Sequence, residues 1–147
     1  MRLLLDVMCG KLAVYLRMCG HDAAYALDRD VEADDCVLAL ARAEDRTLVT
    51  RDVELAARAD GSILLRSRDV HEQLRALRDA GVALTPSETP ERCGRCNARL
   101  VPVASDAETP AYAPDPAETP TWRCPACGQH FWRGSHWDDV RATLAAL

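Results

Sequence analysis

Apolar positions in this chain follow two alternating patterns, short unbroken runs and stripes at a spacing of three and four. The runs are Arg2 to Val7, the weaker Ala23 to Leu27, Thr47 to Thr50 and Ile63 to Leu65. Apolar runs this short, bounded by polar residues, predict buried strands. Leu12, Tyr15, Leu16 and Cys19 share one helical face, and Gly20 sits where that helix ends. A second helix is predicted over Asp34 to Ala43, with Val37, Leu38 and Ala41 on one face and acids in the first turn, where the helix dipole favours them. Residues 53–59 read as a short helix, and Val70, Leu74 and Leu77 stripe another that Gly81 closes. Strands joined by helices predict the α/β class, a mainly parallel sheet flanked by helices.

Beyond residue 88 the pattern changes. A Thr/Pro/Glu-rich linker, Leu84 to Glu91, leads away from the strand–helix alternation, and Ser105 to Pro120 is a second irregular stretch. Trp137 to Leu147 returns to helical character and is expected to dock onto the sheet. The expected organisation is therefore an α/β unit over 1–88, a small module over 89–136 and a C-terminal helix over 137–147.

The small module is defined by two cysteine pairs, Cys93-Gly-Arg-Cys96 and Cys124-Pro-Ala-Cys127. Each pair sets two sulfurs on one tight turn, and two such turns supply the tetrahedral S4 cage that structural Zn²⁺ prefers. The long spacer between them reads as the strands and loop of a zinc ribbon. Two disulfides are the competing reading, and the expected reducing compartment disfavours it.

Composition narrows the partners. The chain has 147 residues, 48% of them hydrophobic, and no apolar run approaches the length of a membrane span. Its start is charged too early for a signal peptide, so a cytoplasmic location is expected, with Cys9, Cys19 and Cys36 as free, buried thiols. A formal net charge of −5 excludes a protein that grips nucleic acid by being basic throughout. Locally the balance reverses. Arg92, Arg95, Arg99, Arg123 and Arg133 cluster around the cysteines, together with Trp122, Trp132 and Trp137. Arginines interleaved with aromatics suit phosphate contacts and base stacking; the alternative is that the arginines solubilise and the tryptophans pack a module with little core.

The acids fall where chemistry is expected. Asp6 closes the first apolar run and Asp52 follows the third, in Leu48-Val-Thr-Arg-Asp52. In open parallel sheets the ligand crevice lies at the carboxyl ends of the strands. Asp34 and Asp35 at the start of a helix, and Asp69 after the fourth run, are candidates to join the crevice, although each also suits a helix start. Clustered carboxylates select a hard divalent cation, Mg²⁺ or Mn²⁺, which activates water and stabilises a phosphoryl transition state. An aspartyl-nucleophile phosphatase is excluded, since Val7-Met8 follow Asp6 without the second acid such enzymes need.

Taken together, Leu3-Leu-Leu-Asp6, Gly10-Lys11-Leu12, Leu16-Arg-Met-Cys-Gly20, Leu48-Val-Thr-Arg-Asp52, Leu65-Arg66-Ser67, Glu72-Gln73-Leu74, both CxxC pairs and Gly134-Ser135-His136-Trp137 resemble one family. It is the PIN-like family named after the C-terminal RNase domain of the Mut-seven exonuclease. The resemblance implies a PIN-like fold ending in a zinc ribbon, and metal-dependent hydrolysis of RNA. By position it implies Asp6, Asp34 or Asp35, and Asp52 as catalytic acids, with Asp6 and Asp52 on Mg²⁺ or Mn²⁺. It further implies that Thr50 orients Asp52 by a hydroxyl hydrogen bond and that Lys11 and Arg51 face substrate phosphate or the acids. PIN-like domains often pair, so a homodimer is among the expected assemblies. One departure is Arg68, which stands where relatives often carry an acid.

Two functions follow as expectations. The first is a ribonuclease whose sheet edge cuts RNA while the ribbon holds it through Arg95, Arg99, Trp132, His136 and Trp137. The second is a non-catalytic RNA- or protein-binding adaptor that keeps the fold without turnover.

Overall fold

In the computed structural model, which describes residues 1–147, Leu3, Leu4 and Leu5 are all fully buried. Successive side chains of a strand point to opposite faces, so this requires helices on both sides of the sheet. The sheet holds β1 (Arg2–Leu5), β2 (Asp22–Tyr25), β3 (Thr47–Thr50) and β4 (Ser62–Leu64), in the order β2-β1-β3-β4, all parallel. On one face Leu3, Leu5 and Val49 pack with residues of α1 (Leu12–Met18), α4 (Val70–Asp79) and α5 (Ser135–Ala145). On the other, Leu4 and Leu48 meet Val37 and Leu38 of α2 (Asp34–Ala43) and Leu55 of α3 (Val53–Arg58). The C-terminal helix docks as expected, adding Trp137, Val140 and Leu144 to the first core.

Element boundaries differ from the sequence reading where a side chain intervenes. β1 ends at Leu5 rather than Val7, because the Asp6 carboxylate accepts the Val7 N–H at 2.9 Å and caps a 3₁₀ turn, Val7–Cys9. β2 ends at Tyr25 and gives way to a second 3₁₀ turn, Ala26–Arg29. Ala33, not Asp34, is the N-cap of α2, so both acids lie in its first turn. Of the thiols expected to be buried, Cys9 is, Cys19 is half-buried and Cys36, on the outer face of α2, is exposed.

The remaining chain forms an antiparallel sheet of two-residue strands, β5 (Val101–Pro102), β6 (Trp122–Arg123) and β7 (His130–Phe131). It lies against the outer side of β2. The Asn97 side chain accepts the Ala23 N–H at 3.0 Å and donates to Asp22 Oδ1 at 2.7 Å, continuing the ladder where no further strand exists. Arg17 of α1 is 2% exposed and joins the two parts, donating to Ala23 O at 3.0 Å and to Gly94 O at 2.9 Å. Burial would raise the Asp22 pKa, but hydrogen bonds from Arg46 and Asn97 hold it below the ordinary carboxylate value. No helix is long and apolar enough to cross a membrane.

The chain passes from β1 to β2 on one side, then crosses to β3 on the other. The gap between the carboxyl ends of β1 and β3 is thus the topological switch point, where open α/β sheets bind ligands.

Candidate active site and metal cage

Asp6 and Asp52 stand at that switch point, joined through one hydroxyl. Thr50 Oγ1, fully buried, donates to Asp6 Oδ2 at 2.7 Å and accepts the Asp52 N–H at 3.0 Å. The expected hydroxyl hydrogen bond to Asp52 is made through the Asp52 backbone, and the hydroxyl proton in addition orients the Asp6 carboxylate. The Asp52 carboxylate is fixed separately. Its Oδ1 accepts the N–H groups of Glu54 and Leu55, both at 3.0 Å, as the N-cap of α3, and Oδ2 has no protein hydrogen bond. Asp6 is only 7% exposed, against a half-exposed Asp52.

The other expected acids have partners or surroundings of their own. Asp34 and Asp35 are exposed on the first turn of α2, and Asp35 is ion-paired with Arg58 at the far end of α3. Asp69 caps α4 by accepting the Glu72 N–H at 3.0 Å. No three carboxylates here have oxygens within 4.8 Å of one another. A 3₁₀ turn and four further residues separate β2 from α2.

Cations gather at the same edge. Lys11, Arg51 and Arg68 line a groove of about 740 Å³, with Tyr25 and Gln73 in its wall. Its floor is tightly built. The Tyr25 hydroxyl donates to Val7 O at 2.7 Å, and a Cβ on Gly10 would meet the Tyr25 ring at 2.7 Å, so any other residue there would displace that ring. Beneath it lies Cys9, whose thiol is pushed up to about 11 by burial and then by the Asp6 charge, with Arg51 pulling the other way. Arg51 Nε is buried without a hydrogen-bond partner. Sequence reading noted Arg68 only as a departure; its place two residues beyond Arg66, just after β4, is the signal that puts it on this edge.

The second candidate centre is the cysteine cage. Cys93, Cys96, Cys124 and Cys127 place all four sulfurs within 4.8 Å of one another. The cross-pair separations, Cys93–Cys127 at 3.6 Å and Cys96–Cys124 at 3.5 Å, exceed the roughly 2.0 Å of a disulfide. They approach the roughly 3.8 Å edge of a tetrahedron with 2.3 Å metal–sulfur bonds. The two turns are built alike: Asn97 N–H donates to Cys93 O and Gly128 N–H to Cys124 O, both at 2.9 Å. Asn97 and Gly128 take positive φ, 73° and 79°, to close them. Burial raises the Cys93 thiol to about 12, a cost that an ion on the sulfurs offsets by taking the thiolate form.

The family model of the Mut7-C RNAse domain matches residues 1–144, from β1 through the cage to α5. The chain belongs to that family. Neither the curated proteins nor the solved structures contain a match. Membership points to a nuclease-type function acting on RNA.

On the ribbon side of this Mut7-C domain the candidate RNA contacts divide. A groove of about 300 Å³ between α1 and the ribbon is lined by Met18, Arg95, Phe131, Trp132 and His136. Arg95 donates to Gln129 Oε1 at 3.1 Å, whereas Arg99 and His136 are exposed. Trp132 tilts against Tyr112, with ring centroids 6.2 Å apart. Trp137 also lines this groove, but with little exposed surface. It is 6% exposed and packed among the core residues of the sheet, because as the third residue of α5 it points inward with Val140 and Leu144. The packing role wins there.

Proposed function

We propose that this Mut7-C domain is a PIN-like, metal-dependent ribonuclease that hydrolyses RNA phosphodiesters at the carboxyl edge of its sheet. The observation that carries the reading is the Asp6–Thr50–Asp52 constellation, two carboxylates held by one buried hydroxyl and one helix start at the switch point. The same two acids cap the 3₁₀ turn and α3, so the turns that follow β1 and β3 each begin with a carboxylate fixed at the crevice. Mg²⁺ is ordinarily held by one or two carboxylates plus substrate phosphate, so the pair fits it, and Mn²⁺ likewise. Bound there, the ion supplies Lewis-acid stabilisation of the phosphoryl oxygens and a more acidic water.

The chain's own residues supply orientation and charge. Thr50 fixes the rotamer of Asp6, and the α3 amides leave Asp52 Oδ2 free to accept a proton or a ligand. Lys11 and Arg51 offset the charge that the acids would otherwise turn against a polyanion. In the cage, Zn²⁺ holds the ribbon in shape, and Arg95, Arg99 and His136 extend the RNA contact. The adaptor reading draws on one fact, that no third carboxylate joins Asp6 and Asp52 with oxygens all within 4.8 Å of one another.

One experiment separates the two. Purified protein is incubated with mixed RNA and Mn²⁺, beside an Asp6→Asn variant. The nuclease reading expects cleavage by the parent and a fall of about 10²-fold or more in the variant. An inert parent that still binds RNA as its variant does would leave only the adaptor.

A further inference from the structure

We infer that Lys11, Arg51 and Arg68 form an anion site for an RNA phosphate adjoining the one to be cut, on the opposite side of the sheet edge from Asp6 and Asp52. The inference rests on the ribonuclease reading and adds to it a residue and a strand path.

Strand alternation separates the two charges. Leu4 and Leu48 face α2 and α3, and Leu5 and Val49 face α1 and α4. Continued by one residue, β1 and β3 turn Asp6 and Thr50 toward the α2/α3 side, which their hydrogen bond requires. Arg51 then falls on the α1/α4 side, where it lines the groove with Lys11, at the start of α1, and Arg68, ahead of α4. Acids and cations therefore share one edge but flank it.

The three cations are uncommitted. Seven arginines before residue 88 pair with a carboxylate. Lys11, Arg51 and Arg68 have neither an ion pair nor a side-chain hydrogen bond, and no acid lines the groove. Lys11 and Arg68 are exposed and Arg51 half-buried along this one groove, open to an anion. The buried, unpartnered Nε of Arg51 points to the same missing acceptor. A guanidinium matches phosphate oxygens in a planar fork, and Val7, Met8 and Val70 give the groove an apolar flank for a sugar or base. In a protein of net charge −5, this is where a polyanion can approach the acids.

The test measures binding without turnover. Parent, Arg68→Gln and Arg68→Lys are titrated with a single-stranded oligoribonucleotide at several salt concentrations, with no divalent ion added. Arg68→Gln is expected to bind more weakly and to lose about 0.7 from its salt slope, as one phosphate contact should on a single strand. Arg68→Lys should retain the slope, which a merely structural role would not produce, and melting temperature and zinc content should stay at parent values in both. Each titration is run with 5′-phosphorylated and 5′-hydroxyl forms of the oligonucleotide. A preference for the phosphorylated end that Arg68→Gln removes assigns the site to a terminal phosphate; equal affinity, with the Arg68 dependence intact, assigns it to an internal one. Unchanged affinity and slope in Arg68→Gln would overturn the site. Parent cleavage of RNA in Mn²⁺ is scored separately, so a failed groove and a failed ribonuclease reading give different results.

Discussion

The parallel sheet and the ribbon reach order by opposite means. The sheet hides Leu3, Leu4, Leu5, Leu48 and Val49 completely and carries helices on both faces. The ribbon has three strands of two residues, and its most buried side chains are cysteines, Cys93 and Cys124 at 0% exposure. One part is stabilised by apolar area removed from water; the other has a four-cysteine cluster able to hold a metal, and a grip on β2. The difference teaches where each is vulnerable, and it leaves Asp6 and Asp52 on the part whose order comes from buried apolar side chains.

The sharpest way to break the comparison is to remove the metal. Structural zinc in small peptides is worth about 10–16 kcal/mol of apparent binding, more than six strand residues can replace. Chelation, or Cys124→Ser, is expected to abolish zinc retention and to release Trp122 and Trp132 from their present surroundings, seen as a shift in tryptophan emission. Far-ultraviolet circular dichroism should keep its helical signal, because α1 to α4 pack on the sheet. Loss of that signal together with the ribbon would show that the two parts share one source of stability.

A smaller effect is expected from the other side. Leu48→Ala opens a cavity between β3 and α2 and should cost about 2–5 kcal/mol of unfolding free energy, read by denaturant titration, without lowering zinc content. The smallest addresses the joint. Asn97→Ala leaves the Ala23 N–H and the Asp22 carboxylate short of a partner and should cost about 1–3 kcal/mol. If it costs nothing, the ribbon merely touches β2.

Much of the sheet was legible because buried parallel strands write themselves as unbroken apolar runs, and the Leu74/Leu77 stripe and the CxxC pairs are equally local signals. The acids at the strand ends were legible for the same reason. What escaped depends on pairs far apart in sequence. Asn97 meets Ala23 across 74 residues and Arg17 meets Gly94 across 77, and no periodicity encodes such contacts. The Thr50–Asp6 hydrogen bond spans 44 residues, which is why the hydroxyl was expected to serve its sequence neighbour Asp52. Trp137 had two readings in the sequence, because it stands among the ribbon's arginines while its helix folds back onto the sheet.

The position of Asn97 has a consequence for solubility. A parallel sheet has two outer strands, and bare outer strands invite other chains to pair with them. At one end β4 is only three residues long, a poor template. At the other, β2 is shielded by the first cysteine turn, with Asn97 occupying the Ala23 amide. Opening of the cysteine turns therefore uncovers a strand as well as a ribbon, and self-association through β2 is the expected outcome of disrupting them.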